Sequence, residues 1–106
     1  MNLTSNPVKQ IVGDVICPGD KSISQRILII GSLLNCDIKI TGFLNAQDPL
    51  STLAALNQIG AVINNDGDLV EIKKRLGPFN SSESSIDLGN SGTGIRLLTG
   101  FISGLN

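Results

Sequence analysis

Two spacings of apolar residues alternate along this chain, and the points where one gives way to the other lay out its elements. In Lys21 to Asn35 the residues Ile23, Ile27, Ile30 and Leu34 recur at helical spacing, which predicts a helix able to bury that stripe. Asp20, just ahead of it, suits an N-cap. Upstream, Val8 to Cys17 is rich in β-branched residues around Gly13-Asp14 and reads as extended chain, two short strands about a turn, stopped by Pro18-Gly19. Asp37 to Thr41 alternates and reads as a strand; Gly42 to Gln47 is a loop. Asp48 is expected to cap a second helix running through Ile59, with Pro49 at its first position, Leu50, Leu53, Ala54 and Leu56 as its apolar side, and Gly60 as its stop.

Ala61 to Ile63 and Leu69 to Lys73 flank the turn chemistry of Asn64 to Asp68, a hairpin pattern. Leu76 to Ser85 is a connection rich in Gly, Pro and Ser, Ile86 to Leu88 reads as a short strand, and Gly89 to Gly94 is a glycine-rich turn. Ile95, Leu98, Ile102 and Leu105 then share one helical stripe. The predicted order β-α-β-α-β-β-β-α is that of an α/β chain with helices laid on a sheet. It stops at its last helix with no strand to follow, so a piece of a longer protein is expected.

Composition narrows the functional classes. The chain has 106 residues, 41% hydrophobic and 16% charged, which is a globular balance. Its net charge of -1, three Phe and lack of Trp and Tyr offer neither a basic patch nor the stacking platforms of a nucleic-acid binder. Met1 to Pro7 carries neither a basic start nor an apolar run, so no secretory leader is expected, and no apolar run approaches membrane-spanning length. There is no His, and Cys17 and Cys36 stand far apart, which disfavours a zinc site. Both thiols are expected to be packed in a reducing cytosol. Without His, a Ser-His-Asp set is impossible, and no carboxylate pair flanks a predicted cleft.

The candidate chemistry sits at two loop-to-helix junctions. In Pro18-Gly19-Asp20-Lys21-Ser22-Ile23-Ser24-Gln25-Arg26, at about 100° per residue, Ser22 and Arg26 lie roughly 40° apart, off the isoleucine stripe. A lysine in a first turn is mildly unfavourable unless an anion joins it, and free amides with Lys21, Ser22 and Arg26 would attract one. The same residues also fit solvated charges with Ser22 helping the cap, and spacing does not decide between the two. In Leu88-Gly89-Asn90-Ser91-Gly92-Thr93-Gly94-Ile95-Arg96, three glycines in six residues admit a ligand close to the backbone. No Gly-Lys-Ser/Thr follows, and Leu97 occupies the third glycine position of the dinucleotide fingerprint, so it is neither of those loops. A plain turn before a helix fits it equally, and Arg96 suits either solvent or a phosphate.

Taken together, the motifs are more specific than either alone. Pro18-Gly19-Asp20-Lys21-Ser22-Ile23-Ser24-x-Arg26, then Gly42-Phe43-Leu44 with Asp48, then Leu88-Gly89-Asn90-Ser91-Gly92-Thr93-x-x-Arg96-Leu97-Leu98 resemble, in order and separation, the motifs of the EPSP synthase family of enolpyruvyl transferases. The similarity runs from about Val8 to the end. The sister family acting on UDP-N-acetylglucosamine has Lys-Asn where this chain has Lys21-Ser22, which disfavours it. RNA 3′-phosphate cyclases need a histidine this chain lacks. A stand-alone anion-binding module is the alternative of a different class.

The resemblance implies βαβαββ-type units with helices packed on mixed sheets, part of an inside-out α/β barrel domain. It implies transfer of the enolpyruvyl group of phosphoenolpyruvate to the 5-hydroxyl of shikimate 3-phosphate, in the cytoplasm, with no metal or organic cofactor and no nucleic-acid or membrane partner. By motif position, Lys21 would touch both substrates and stabilise developing charge, and Ser22 and Arg26 would hold shikimate 3-phosphate. Asn90 and Gly92 would line the phosphoenolpyruvate pocket, with Thr93 and Arg96 in support; Gly92 would also leave room for glyphosate. Gln25 replaces the His of many relatives and is expected to make no core contact. Residues 1–16 would pack with a second domain, and 17–106 would form an incomplete substrate-binding domain whose acid/base residues lie further along. The full enzyme would be a monomer; in the short chain the opening segment is expected to be displaced or to pair with a second copy, and no turnover is expected.

Overall fold

A computed structural model describes residues 1–105. Three helices, α1 (Lys21–Leu34), α2 (Gln47–Gln58) and α3 (Gly92–Ser103), and three strands, β1 (Ile38–Ile40), β2 (Val62–Asp66) and β3 (Leu69–Lys73), follow in the order α1-β1-α2-β2-β3-α3. The sheet order is β1-β3-β2, and both ladders are antiparallel. The register aligns Ile38, Ile72 and Ile63 across the sheet, and the alternation of β3 buries Val70 and Ile72 toward the helices. α1 lies on β3 and α2 on β2, while α3 packs across α1 and α2. The core forms where these layers meet, from Leu28, Leu56, Ile63, Val70, Ile72 and Leu98 with their neighbours.

Local chemistry explains the boundaries. Asp20 caps α1 by accepting from the Ile23 amide at 2.7 Å, and Asn35 ends it in the left-handed region at φ 51°. The hairpin turns on two residues, with Gly67 at φ +61°, so strand β2 extends through three of the residues expected in the turn. Gly31 lets α1 lie directly on the sheet, since a Cβ there would sit 2.5 Å from the end of Ile72. Asn57 fastens α2 to β2, donating to the Ile63 carbonyl at 3.0 Å and accepting from its amide at 2.9 Å.

The α/β class and helices packed on a sheet are as expected, but several expectations are corrected. The isoleucine stripe of α1 faces outward: Ile23, Ile30 and Leu34 are 66%, 52% and 63% exposed. The buried face is instead Ser24, Gln25, Leu28, Ile29, Gly31 and Ser32, because Gly31 lets α1 lie close on the sheet while Gln25 bonds to α2 and Ser24 accepts from the Leu44 amide. On α2, Ala54 is exposed while Thr52, Ala55 and Leu56 are buried. On α3 only Leu98 of the expected stripe is buried, and Leu105 lies past the helix end.

Residues 8–17 and 86–88 form no strand, for a strand needs a ladder partner as well as β-branched residues. Residues 1–18 are all exposed, and the molecule extends to 60 Å in its longest direction. Ile86 and Leu88 still pack against the core. Both cysteines are exposed rather than packed. No helix among the described residues is long and apolar enough to cross a membrane.

Candidate functional site

The three helices begin at one end of the molecule. Lys21 opens α1 and its Nζ lies 3.2 Å from a carboxylate oxygen of Asp48, in the first turn of α2. Asp48 is therefore not the expected N-cap. Ala46 holds that position without a side-chain bond, and the Asp48 carboxylate faces the neighbouring helix. The pair is substantially solvated, so it orients Lys21 more than it stabilises the fold.

One turn further along α1, Gln25 joins all three elements. Its side chain is fully buried, contrary to the expectation that it makes no core contact. Nε2 donates to Ser91 Oγ at 2.9 Å and to Thr52 Oγ1 at 3.2 Å, and lies 3.5 Å from the Asp48 carbonyl. A carbonyl can only accept, so it is the amino end of the side chain that faces this cluster. Ser91 is the N-cap of α3, taking the Gly94 amide at 3.0 Å. Gly94 permits the approach: a Cβ there would lie 2.7 Å from Ser91 Oγ and 3.2 Å from Thr52 Oγ1.

α1 and α3 run side by side in the same sense. Gln25 meets Ser91 at one end, and Arg26, Ile30 and Leu33 line a hollow of about 380 Å³ together with Arg96, Leu97 and Phe101. Arg26 and Arg96 thus share one hollow, although both are surface residues. Arg96 is folded onto its own helix start, donating to the Gly92 carbonyl at 2.8 Å. Ser22 and Thr93 are half-buried; Asn90 and Gly92 are exposed, next to the turn where Gly89 takes φ +58°. Neither Lys21 nor Gly92 lines the hollow that Arg26 and Arg96 share; the two are linked through Asp48, Gln25 and Ser91.

Helix geometry leaves the amides of Lys21 and Ser22 in α1, and of Gly92 and Thr93 in α3, without intrahelical acceptors. Three positive helix ends with Lys21, Arg26 and Arg96 around them make a pole suited to anions, offset by Asp20 and Asp48, with Asp87 nearby at the Gly89 amide. Sequence reasoning missed Gln25 and the role of Asp48, since their partners lie 66 and 27 residues away. The available signal was the set Ser24, Gln25, Leu28 and Ser32, a second helical face made of small and polar residues.

Comparison with known proteins agrees with the motifs. The EPSP synthase family, described as 3-phosphoshikimate 1-carboxyvinyltransferase, matches residues 5–106. A protein of that name from Geobacter sp. (strain M21) is 43% identical over 106 residues, covering 99% of this chain and 25% of the relative. One from Enterococcus faecalis is 40% identical over 105 residues, covering 98% and 24%. The solved EPSP synthase of Acinetobacter baumannii superposes with a TM-score of 0.77 at 36% identity, over 86% of this chain and 21% of that one. The chain spans about a quarter of the length of the curated relatives it matches.

Proposed function

The chain belongs to the EPSP synthase family, and from that premise we propose that it supplies one side of a site for enolpyruvyl transfer from phosphoenolpyruvate to shikimate 3-phosphate, in the cytoplasm. In that reaction the 5-hydroxyl gives up its proton as its oxygen bonds to C2 of phosphoenolpyruvate, and the methylene carbon of phosphoenolpyruvate takes a proton. The carbon–oxygen bond to phosphate then breaks, a proton leaves the methyl group and inorganic phosphate departs. Residues 17–106 belong to the substrate-binding domain, and residues 1–16 to contacts with a second one.

In this reading Lys21 lies between both anionic substrates and stabilises charge as the tetrahedral intermediate forms. Ser22 and Arg26 hold shikimate 3-phosphate. Asn90 and Gly92 line the phosphoenolpyruvate pocket, Thr93 adds a first-turn amide and hydroxyl, and Arg96 swings from the Gly92 carbonyl to the ligand. These groups are assigned to binding and polarising rather than to moving these protons, so the 106-residue chain is expected to bind without turning over.

The observation that carries the reading is the meeting of the α1, α2 and α3 starts at Gln25, which brings two motifs far apart in sequence into one positive end. Isothermal titration with shikimate 3-phosphate tests it. The chain should bind, and Arg26→Ala should weaken binding by about tenfold, the usual worth of one charge-assisted contact to phosphate. Equal binding by the variant removes Arg26 from the site.

A further inference from the structure

We infer that Gln25 is a positioning residue, one that locks the two ligand-facing helix starts into a single frame without touching ligand itself; this rests on the site proposed above. Three observations support it. First, Gln25 is 0% exposed and its Nε2 is the only atom among the described residues bonded to side chains of both α2 and the α3 cap, at 3.2 Å to Thr52 Oγ1 and 2.9 Å to Ser91 Oγ. Its α-carbon lies between Lys21 and Arg26 on the same two turns, so any rotation of α1 about its axis is opposed from two neighbouring helices.

Second, the amide is oriented at a cost. With Nε2 toward Asp48, Thr52 and Ser91, its Oε1 is buried and, among the described residues, has no hydrogen-bond partner. A buried acceptor left unmatched lowers stability, and an apolar side chain of the same length would avoid the loss. The arrangement gives up stability while fixing the geometry of three helix starts.

Third, the bond ends on the hydroxyl that organises the second helix start. Ser91 Oγ accepts from both Gln25 Nε2 and the Gly94 amide, so the direction of the α3 first turn, with Gly92 and Thr93, is referred to α1 through one oxygen atom. Lys21 is referred to the same point through Asp48, whose carboxylate takes the ammonium and whose carbonyl faces Nε2. Gln25 therefore sets the relation between Lys21 and Gly92.

Phosphoenolpyruvate titrated into the 106-residue chain, followed by amide shifts and paired with thermal unfolding of the same samples, separates this role from a structural one. In the unmodified chain the Lys21 and Gly92 amides should follow one binding curve. Gln25→Met keeps length and helix propensity and removes both polar ends. It should leave Tm unchanged or raised, weaken binding by about fivefold, and split the two amides onto different curves, as expected when a coupling contact is lost. Thr52→Val, isosteric and less disruptive, should weaken binding by about twofold in the same direction and decides the matter where the methionine variant does not fold. A variant that loses Tm yet binds on one unchanged curve overturns the positioning role alone. No shift at either amide in the unmodified chain overturns the proposed site, and the positioning role with it.

Discussion

The two helix starts are built on one plan with opposite exposure to water. Each has a side chain one residue before the helix that accepts from the third amide: Asp20 from Ile23 at 2.7 Å and Ser91 from Gly94 at 3.0 Å. Asp20 stands in solvent, while Ser91 is 2% exposed and shared with Gln25. Their cations differ as well. Lys21 is held by a carboxylate of another helix, and Arg96 by a carbonyl of its own. The first start is thus placed by its surroundings and the second by its cap, so the same substitution should have unequal effects at the two.

The glycine ahead of α1 sharpens the comparison most. A Cβ on Gly19 would overlap the Gly42 carbonyl oxygen and sit 2.8 Å from the Leu44 nitrogen, both backbone atoms that cannot step aside. Gly19→Ala should cost at least about 2 kcal/mol in urea unfolding, as overpacking against backbone does. By contrast a Cβ on Gly92 meets only the end of the Arg96 side chain, at 2.9 Å, so Gly92→Ala should change stability little and release Arg96 from its helix start.

The caps come next. Ser91→Ala should cost about 1–2 kcal/mol and Asp20→Ala about 1 kcal/mol or less, since only the first leaves buried donors unmatched. An equal loss in paired unfolding curves would mean that burial of the second cap carries no energetic weight. Smallest in stability is Lys21→Met, expected to change it by less than about 1 kcal/mol because the ion pair is solvated. In calorimetry the same variant should nevertheless lose about tenfold or more in phosphoenolpyruvate affinity.

What was legible in the sequence was local. Asp20, the alternation of Leu69 to Lys73 and the Gly67 turn act within a few residues, and the elements they mark were placed within one or two residues or, for β2, shifted into the turn. The residues proposed for the site stand out in the sequence as motifs. What could not be read was which apolar face turns inward. The Ile23, Ile27, Ile30 and Leu34 stripe has the right period, yet periodicity shows only that a face is apolar; α1 docks through Ser24, Gln25 and Gly31 because these permit closer approach and hydrogen bonding. Val8 to Cys17 failed for a related reason. Its residues favour extended chain, but no strand among the described residues pairs with it. Asp48 and Gln25 were misjudged because each bonds across more than 20 residues of sequence.

The junction of three helix starts at one buried amide can be observed without any ligand. In a nuclear Overhauser spectrum the Gln25 side-chain amide protons should show cross-peaks to the Ser91 β-protons and the Thr52 methyl group, and should exchange slowly with water. Rapid exchange with no cross-peak to either residue would contradict the convergence on which the proposed anion site depends.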